Sequence, residues 1–242
     1  MTGFSTSDAR SARRPGTTSV TEAAPKRQRR TQAERTAETR EALLDAAIRL
    51  LHRKGYSGAT TELIAEEAGM TRGALHHHFR TRAHLMAEVI HTVYQREQHA
   101  YREIAAQSGR GAQLVDWPDM LWEVLSRPSG LAVLEILQAS RSDPELAAMV
   151  APMQAAVERM SLEAIDAQFG SEDGAAMLPG VRLLVWAVRG LSVAQMLAPD
   201  PAEIGRSIDF LRLLIDGAVR AGVIDPRGRP RHVNNTAPHG TG

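Results

Sequence analysis

From Thr36 onward, apolar residues recur at the three- and four-residue spacing of a helix. Leu43, Ala47, Leu50 and Leu51 form the first stripe, and the glycine of Lys54–Gly55–Tyr56 ends it. Thr60 and Thr61 precede a short helix whose Leu63, Ile64 and Ala68 face inward, until Gly69 breaks it. Thr71 caps another short helix with Leu75 and Phe79 turned to the same core, and Thr81 caps a long one reaching about Ala106. Ala65 is the small residue where two short helices can cross, and Gly69 supplies the positive φ of a tight turn. Met70 and Leu75 complete the apolar triangle. Together these positions predict a three-helix unit that contains a helix–turn–helix.

The remainder has the same period. Helices are predicted near 113–126, 129–141, 144–169, 178–198 and 201–222, divided by "RPSG", "SDPE", "LPG" and "APDPAE", several with proline at or near a first turn. No strand alternation persists. The expected fold is all-α: a helix–turn–helix domain over 35–82 and a second helical domain over 83–224. Residues 1–34 and 225–242 lack an apolar period and read as a disordered basic arm and a disordered tail.

Composition adds three constraints. Aromatics are only 4% of 242 residues, so the core must be built from Leu, Ala, Val, Ile and Met. There is no cysteine, which excludes disulfides and thiolate metal sites. No continuous apolar run approaches the roughly 20 residues of a membrane span, and the N-terminus has no secretory pattern, so a cytoplasmic protein is expected. The net charge of +1 conceals an asymmetry: residues 1–82 carry 15 Lys and Arg against 9 Asp and Glu, whereas the rest is net acidic. A basic front suits a polyanion. Its "KRQRR" run, Lys26 to Arg30, is either a solvated charge cluster or an arm that tracks DNA phosphates.

The stretch "GMTRGALHHHF", 69–79, offers two chemistries. Consecutive helical residues point about 100° apart, so His76, His77 and His78 cannot converge on one metal ion. A helical metal pair needs i and i+4 spacing, which is absent, and no catalytic triad or phosphate-cradling loop can be picked out. His78 points toward the core. His76 and His77 share the outer face with Arg72 and Gly73, as contacts of a recognition helix would.

The words "LLDAAIRLLHRKGYSGATTELIAEEAGMTRGALHHHFRTRAHL" resemble the DNA-binding domain of the TetR (tetracycline-repressor-like) family of bacterial regulators. The resemblance implies that Thr60 and Thr61 meet phosphate at a helix start, that Thr71 is a cap, and that Arg72 leads base reading. Gly73 would let the helix sit close to DNA. His76 stands where the family usually has tyrosine, and Arg82 where it usually has lysine; both keep hydrogen-bond donors. His77 joins this set from its position on the outer face.

The resemblance also implies a C-terminal sensor with a central pocket and a dimer built from the last two helices. "VRLLVWAVRGLSVAQML" is apolar almost all round and needs partners on several faces. "IGRSIDFLRLLIDGAV" carries one stripe at Ile204, Ile208, Leu211 and Ile215 and another at Phe210, Leu214 and Ala218. The expected dimer interface comprises Val185, Leu191, Ile208, Leu211 and Ile215. Candidate ligand contacts are Trp122, Glu135, Gln138, Met153, Met160, Trp186 and Arg189, with Arg189 deepest in its apolar run. Ordinary core packing and structural salt bridges are the bland alternatives for these residues.

These features point to a non-enzymatic regulator, a repressor released from operator DNA by a small molecule and acting as a homodimer without a cofactor. The alternatives are an all-α binding protein or enzyme with a structural helix–turn–helix, and a DNA-binding regulator without a ligand. If Lys26, Arg27, Arg29 and Arg30 touch phosphates, deleting residues 1–30 weakens DNA binding on every sequence and flattens its salt dependence. Binding titrations between low and physiological salt measure this; an unchanged slope would make the arm a solvated tail.

Overall fold

The computed structural model describes residues 31–169, 171–197 and 200–231. Lys26 to Arg30 and residues 232–242 lie outside this range. The described residues form nine α-helices and no strand: α1 (Gln32–Gly58), α2 (Thr61–Glu67), α3 (Arg72–His78), α4 (Arg82–Ser108), α5 (Trp117–Leu125), α6 (Pro128–Ala139), α7 (Pro144–Phe169), α8 (Ser171–Leu197) and α9 (Pro201–Arg220). A 3₁₀ turn, Leu114–Asp116, leads into α5.

Helix α1 starts earlier than the apolar stripe suggests. Thr31 accepts from the Glu34 backbone N–H while the Glu34 side chain accepts from the Thr31 N–H, a reciprocal cap that fixes the first turn ahead of any apolar residue. At its other end Gly55 adopts φ 68° and breaks the helix before a last turn at Tyr56–Gly58. Helix α2 ends at Gly69, also φ 68°, where Met70 N–H reaches back to Ala65 O at 2.8 Å. That bond and the packing of Met70 on the core define a Schellman stop.

Two apolar cores result. The first gathers Leu43, Leu44, Ile64, Leu75, Phe79 and Leu85, and continues without a seam into Ala132, Val133 and Ile136 of α6 and Leu146 and Val150 of α7. The second joins Ala100 and Ile104 of α4 to Trp117, Val124, Met177, Val188, Ile208 and Ile215. Helix α4 is therefore continuous through both, as its length implies.

One expectation is corrected. The tail is not irregular from Asp225: that buried carboxylate accepts from Arg227 N at 2.9 Å and Arg229 N at 3.0 Å and pairs with the Arg229 guanidinium. The resulting loop lays Gly228 against Leu114, and Leu114 N–H donates to Pro226 O at 3.0 Å. Asx-type bonds of this kind carry no apolar period, which is why the pattern missed them. Ala176–Leu197 is long and apolar enough to cross a membrane by length and composition, although Arg182 and Arg189 keep it from being a continuous apolar run. One face of it packs into the second core through Met177, Val181, Leu184 and Val188.

Candidate nucleic-acid interface and internal cavity

Threonine caps start both short helices. Thr60 Oγ1 accepts from Leu63 N at 3.3 Å and Thr71 Oγ1 from Ala74 N at 3.1 Å. Leu75 and Phe79, both fully buried, fix which face of α3 turns inward. The opposite face then carries Arg72, Gly73, His76 and His77, all exposed. Arg72 pairs with Glu62 across the α2–α3 corner at 3.1 Å and donates from Nε to His76 Nε2 at 3.3 Å. The Glu62 carboxyl sits below its usual range, held there by its own backbone N–H and then by Arg72. A pair this exposed contributes little to stability, so Arg72 can exchange it for another acceptor at small cost.

Gly73 is informative because the fold does not require it. It lies within a helix, where glycine is about 1 kcal/mol worse than alanine, and a Cβ there would meet only Thr71 Oγ1, at 3.8 Å. Its missing side chain leaves a bare patch on the outer face. His78 is half-buried, and burial first, then His77 and Arg40, push its pKa down. It is a packed residue, as its inward position suggested. Thr61 is half-buried, with Oγ1 near Glu62 Oε2 at 3.3 Å.

Arg82, expected among the DNA-facing residues, also has a task within the fold. Its Nη2 donates to Tyr56 O and its Nε to Ala59 O at 3.3 Å, while the guanidinium lies 3.9 Å from the centre of the Tyr56 ring. It closes the carbonyl end of α1, where orphan acceptors need donors. The sequence position shows a cation at a helix start; it cannot show that another helix ends beside it.

In the second domain, α4, α6, α7 and α8 line a half-open cavity of about 410 Å³, adjoined by a second of about 180 Å³ that reaches α5. Tyr94, Glu97, Val185 and Arg189 line both. Glu97 and Arg189 face each other at 3.5 Å with their side chains only 7% and 12% exposed. Arg189 also reaches Gly130 O at 3.4 Å, so it links α8 to α4 and to the start of α6. Burial raises the Glu97 pKa, against the opposing fields of Arg189 and Arg127. The Tyr94 hydroxyl is satisfied by Ser161 Oγ at 3.0 Å.

The expected ligand residues divide. Arg189 and Trp186 line the larger cavity. Trp122 packs against the second core and Met153 against the first, and neither they nor Met160 line either lobe. Glu135 and Gln138 border a separate crevice with Gly55 and Tyr56. There the Glu135 carboxylate accepts from Tyr56 N at 2.9 Å, capping the N–H that the break at Gly55 leaves free. The Tyr56 hydroxyl donates to Asp143 Oδ2 at 3.2 Å. Glu97, deep in the cavity, was missed: a glutamate amid "YQREQHAYRE" reads as solvated surface, and only its four-residue spacing from the inward-facing Val93 hints otherwise.

The expected dimer residues need a similar correction. Ile208 and Ile215 are buried within the protomer, Val185 lines the cavity, and Leu191 and Leu211 are half-buried between α8 and α9. The exposed apolar face is the other stripe of α9, with Phe210, Leu213 and Leu214 more than half exposed, alongside Leu183 and Leu197. Both stripes have helical spacing, and the choice between them depends on where α5 and α8 lie.

Residues 43–89 match the family profile described as "Bacterial regulatory proteins, tetR family". The HTH-type transcriptional regulator CymR of Pseudomonas putida is 31% identical over 192 residues, spanning 74% of this chain and 89% of the relative. An uncharacterised HTH-type transcriptional regulator of Mycobacterium tuberculosis is 24% identical, spanning 77% of this chain and 97% of its own. Among solved structures, a transcriptional regulator from Rhodococcus sp. Rha1 superposes with a TM-score of 0.55 at 18% identity, covering 75% of this chain and 96% of that one. A TetR-family member from Streptomyces coelicolor A3 gives 0.52 at 23%, covering 74% and 98%. At these identities the superpositions establish a shared fold.

The position of Arg82 has a direct consequence. Arg82→Ala removes donors from two carbonyls at the end of α1 and costs about 1–3 kcal/mol of stability; Arg82→Lys, lacking the planar fork, recovers only part of it. Thermal melts of the two variants measure this, and an unshifted melting temperature would return Arg82 to the DNA-facing set.

Proposed function

This chain belongs to the tetR family of bacterial regulatory proteins, and we propose that it is a homodimeric repressor that reads operator DNA through α3 and releases it when a small molecule occupies the cavity at Glu97 and Arg189. The transcriptional-regulator role comes with the family. The observation that carries the finer reading is the outer face of α3, where Arg72, Gly73, His76 and His77 stand exposed around a glycine that the fold does not need. Arg72 has the forked donors that read guanine O6 and N7 in the major groove, and the bare backbone at Gly73 permits close approach. His76 and His77 supply donors to phosphate, with Thr60, Thr61 and Thr71 at the helix starts.

The exposed stripe of Phe210, Leu213 and Leu214 supports dimerisation through α9, with Leu183 and Leu197 extending the patch. A two-fold dimer presents two copies of α3 to successive major grooves about 34–36 Å apart. Coupling runs through two paths. Helix α4 carries Glu97 in the cavity and begins beside α3, and α6 carries Gly130, whose carbonyl accepts from Arg189, and Glu135 at the α1 break. A molecule that displaces Arg189 acts on both.

Two measurements test this. Arg72→Ala is expected to cost on the order of 1–3 kcal/mol on the operator and to relax preference at one base position. Gly73→Leu abolishes specific binding by steric exclusion without lowering the melting temperature, and His76→Ala weakens specific and non-specific binding alike. Footprinting that finds all three at wild-type affinity would remove DNA reading from α3. The second is reciprocal: any small molecule that lowers operator affinity by a given factor must bind the operator-bound protein more weakly by that factor. Calorimetry with and without operator reads both affinities; equal values would leave the cavity outside regulation.

A further inference from the structure

One atom in the cavity is chemically unfinished. Glu97 Oε1 is buried and has no hydrogen-bond partner, while Oε2 faces Arg189 at 3.5 Å. A buried carboxylate oxygen without a donor is costly, and a cavity is the one place where a ligand can supply it. The Glu97 side chain lines both lobes, and a turn of its soft terminal torsion presents Oε1 to a molecule in either. The Tyr94 hydroxyl is already committed to Ser161 and to Val157 O, and Arg182 at the larger lobe pairs with Glu158.

Charge narrows the ligand further. Glu97 and Arg189 already balance each other, and Arg127, whose field reaches Glu97, is itself exposed and solvated. A cationic ligand would be set against Arg189, and an anionic one against Glu97. Either would bury an unbalanced charge. A neutral donor satisfies Oε1 and leaves the pair intact. The surrounding walls include Ile90, Val133, Val181 and Val185 as well as Trp186. The 410 Å³ of the larger lobe falls in the range of roughly 300–1,000 Å³ typical of small-molecule sites.

Resting on the reading of this cavity as the effector site, we infer that the effector is a neutral, compact, apolar molecule carrying a hydroxyl donor that Glu97 Oε1 accepts. Arg189 then positions Glu97 and is held in turn by Gly130 O. The hydroxyl is the recognition element, and the apolar body fills the lobe.

The test compares 4-tert-butylphenol with its methyl ether, 4-tert-butylanisole, by calorimetry on the full chain. These share a body and differ in the donor. 4-tert-Butylbenzoate and 4-tert-butylbenzylamine supply the anionic and cationic arms. The phenol is expected to bind about 10- to 100-fold more tightly than the ether, as a hydrogen bond to a charged acceptor implies. Glu97→Leu/Arg189→Leu, which removes both charges together, brings that ratio close to one while keeping affinity for the ether. Should the double variant fail to fold, Glu97→Gln, which keeps a neutral acceptor, is expected to shrink the ratio to a few-fold. Equal binding of phenol and ether by the wild type overturns the inference, as does a preference that survives the substitutions. Tighter binding of either charged probe, or no binding by any of the four, overturns it as well. Operator affinity measured with the same molecules separates the two readings. A hydroxyl preference without operator release keeps the role of Glu97 and removes sensing; release by a probe that shows no such preference does the reverse.

Discussion

The burial of α1 against α6 is the constraint on which the rest depends. The two short helices α2 and α3 cannot cover α1 alone, and its apolar face is completed by Ala132, Val133 and Ile136 from the second domain. A core shared across the two domains means that neither α2 nor α3 is positioned independently of the helices that surround the cavity. Core packing is close enough that a shift on one side must be accommodated on the other. This is why a boundary at residue 82 describes the chain order better than it describes the packing.

Polar groups at the joint between domains are arranged with the same economy. The break at Gly55 frees one N–H, and the end of α1 presents the Tyr56 and Ala59 carbonyls. Glu135 takes the N–H, and Arg82 takes the carbonyls while stacking on Tyr56. A Cβ at Gly55 would come within 3.0 Å of Glu135 Oε2, so the glycine serves both the left-handed backbone and the approach of the carboxylate. Arg96 strengthens the same assembly from the surface, bridging α4 to Glu41 and Asp45 on α1.

Local signals were legible and relational ones were not. Caps at Thr60, Thr71 and Thr81, the stop at Gly69 and the inward Leu75 and Phe79 depend on neighbours within a few residues, and the structure reproduces them. The outward set on α3 follows from the same local geometry. Arg82, Glu135 and Glu97 defeat that kind of reading because their partners are 26, 79 and 92 residues away in sequence. The stripes of α9 fail for another reason: periodicity finds two apolar faces but says nothing about which one the protomer covers. Arg189 combined a strong local signal, a charge within an apolar run, with a place in the cavity.

Gly130 repays a mechanical view. An added Cβ there would fall 2.1 Å from Leu125 O, so the end of α5 and the start of α6 are pressed together with room for nothing larger than hydrogen. Its carbonyl accepts from Arg189, which fixes the same point from the third side. Glu135 lies five residues further along the helix, about 7–8 Å at the helical rise. A beam that short, clamped at one end, does not bend. Force applied at the clamp arrives at the Tyr56 N–H as displacement, carried by the Glu135 carboxylate and by the apolar packing of α6 on α1 beside it.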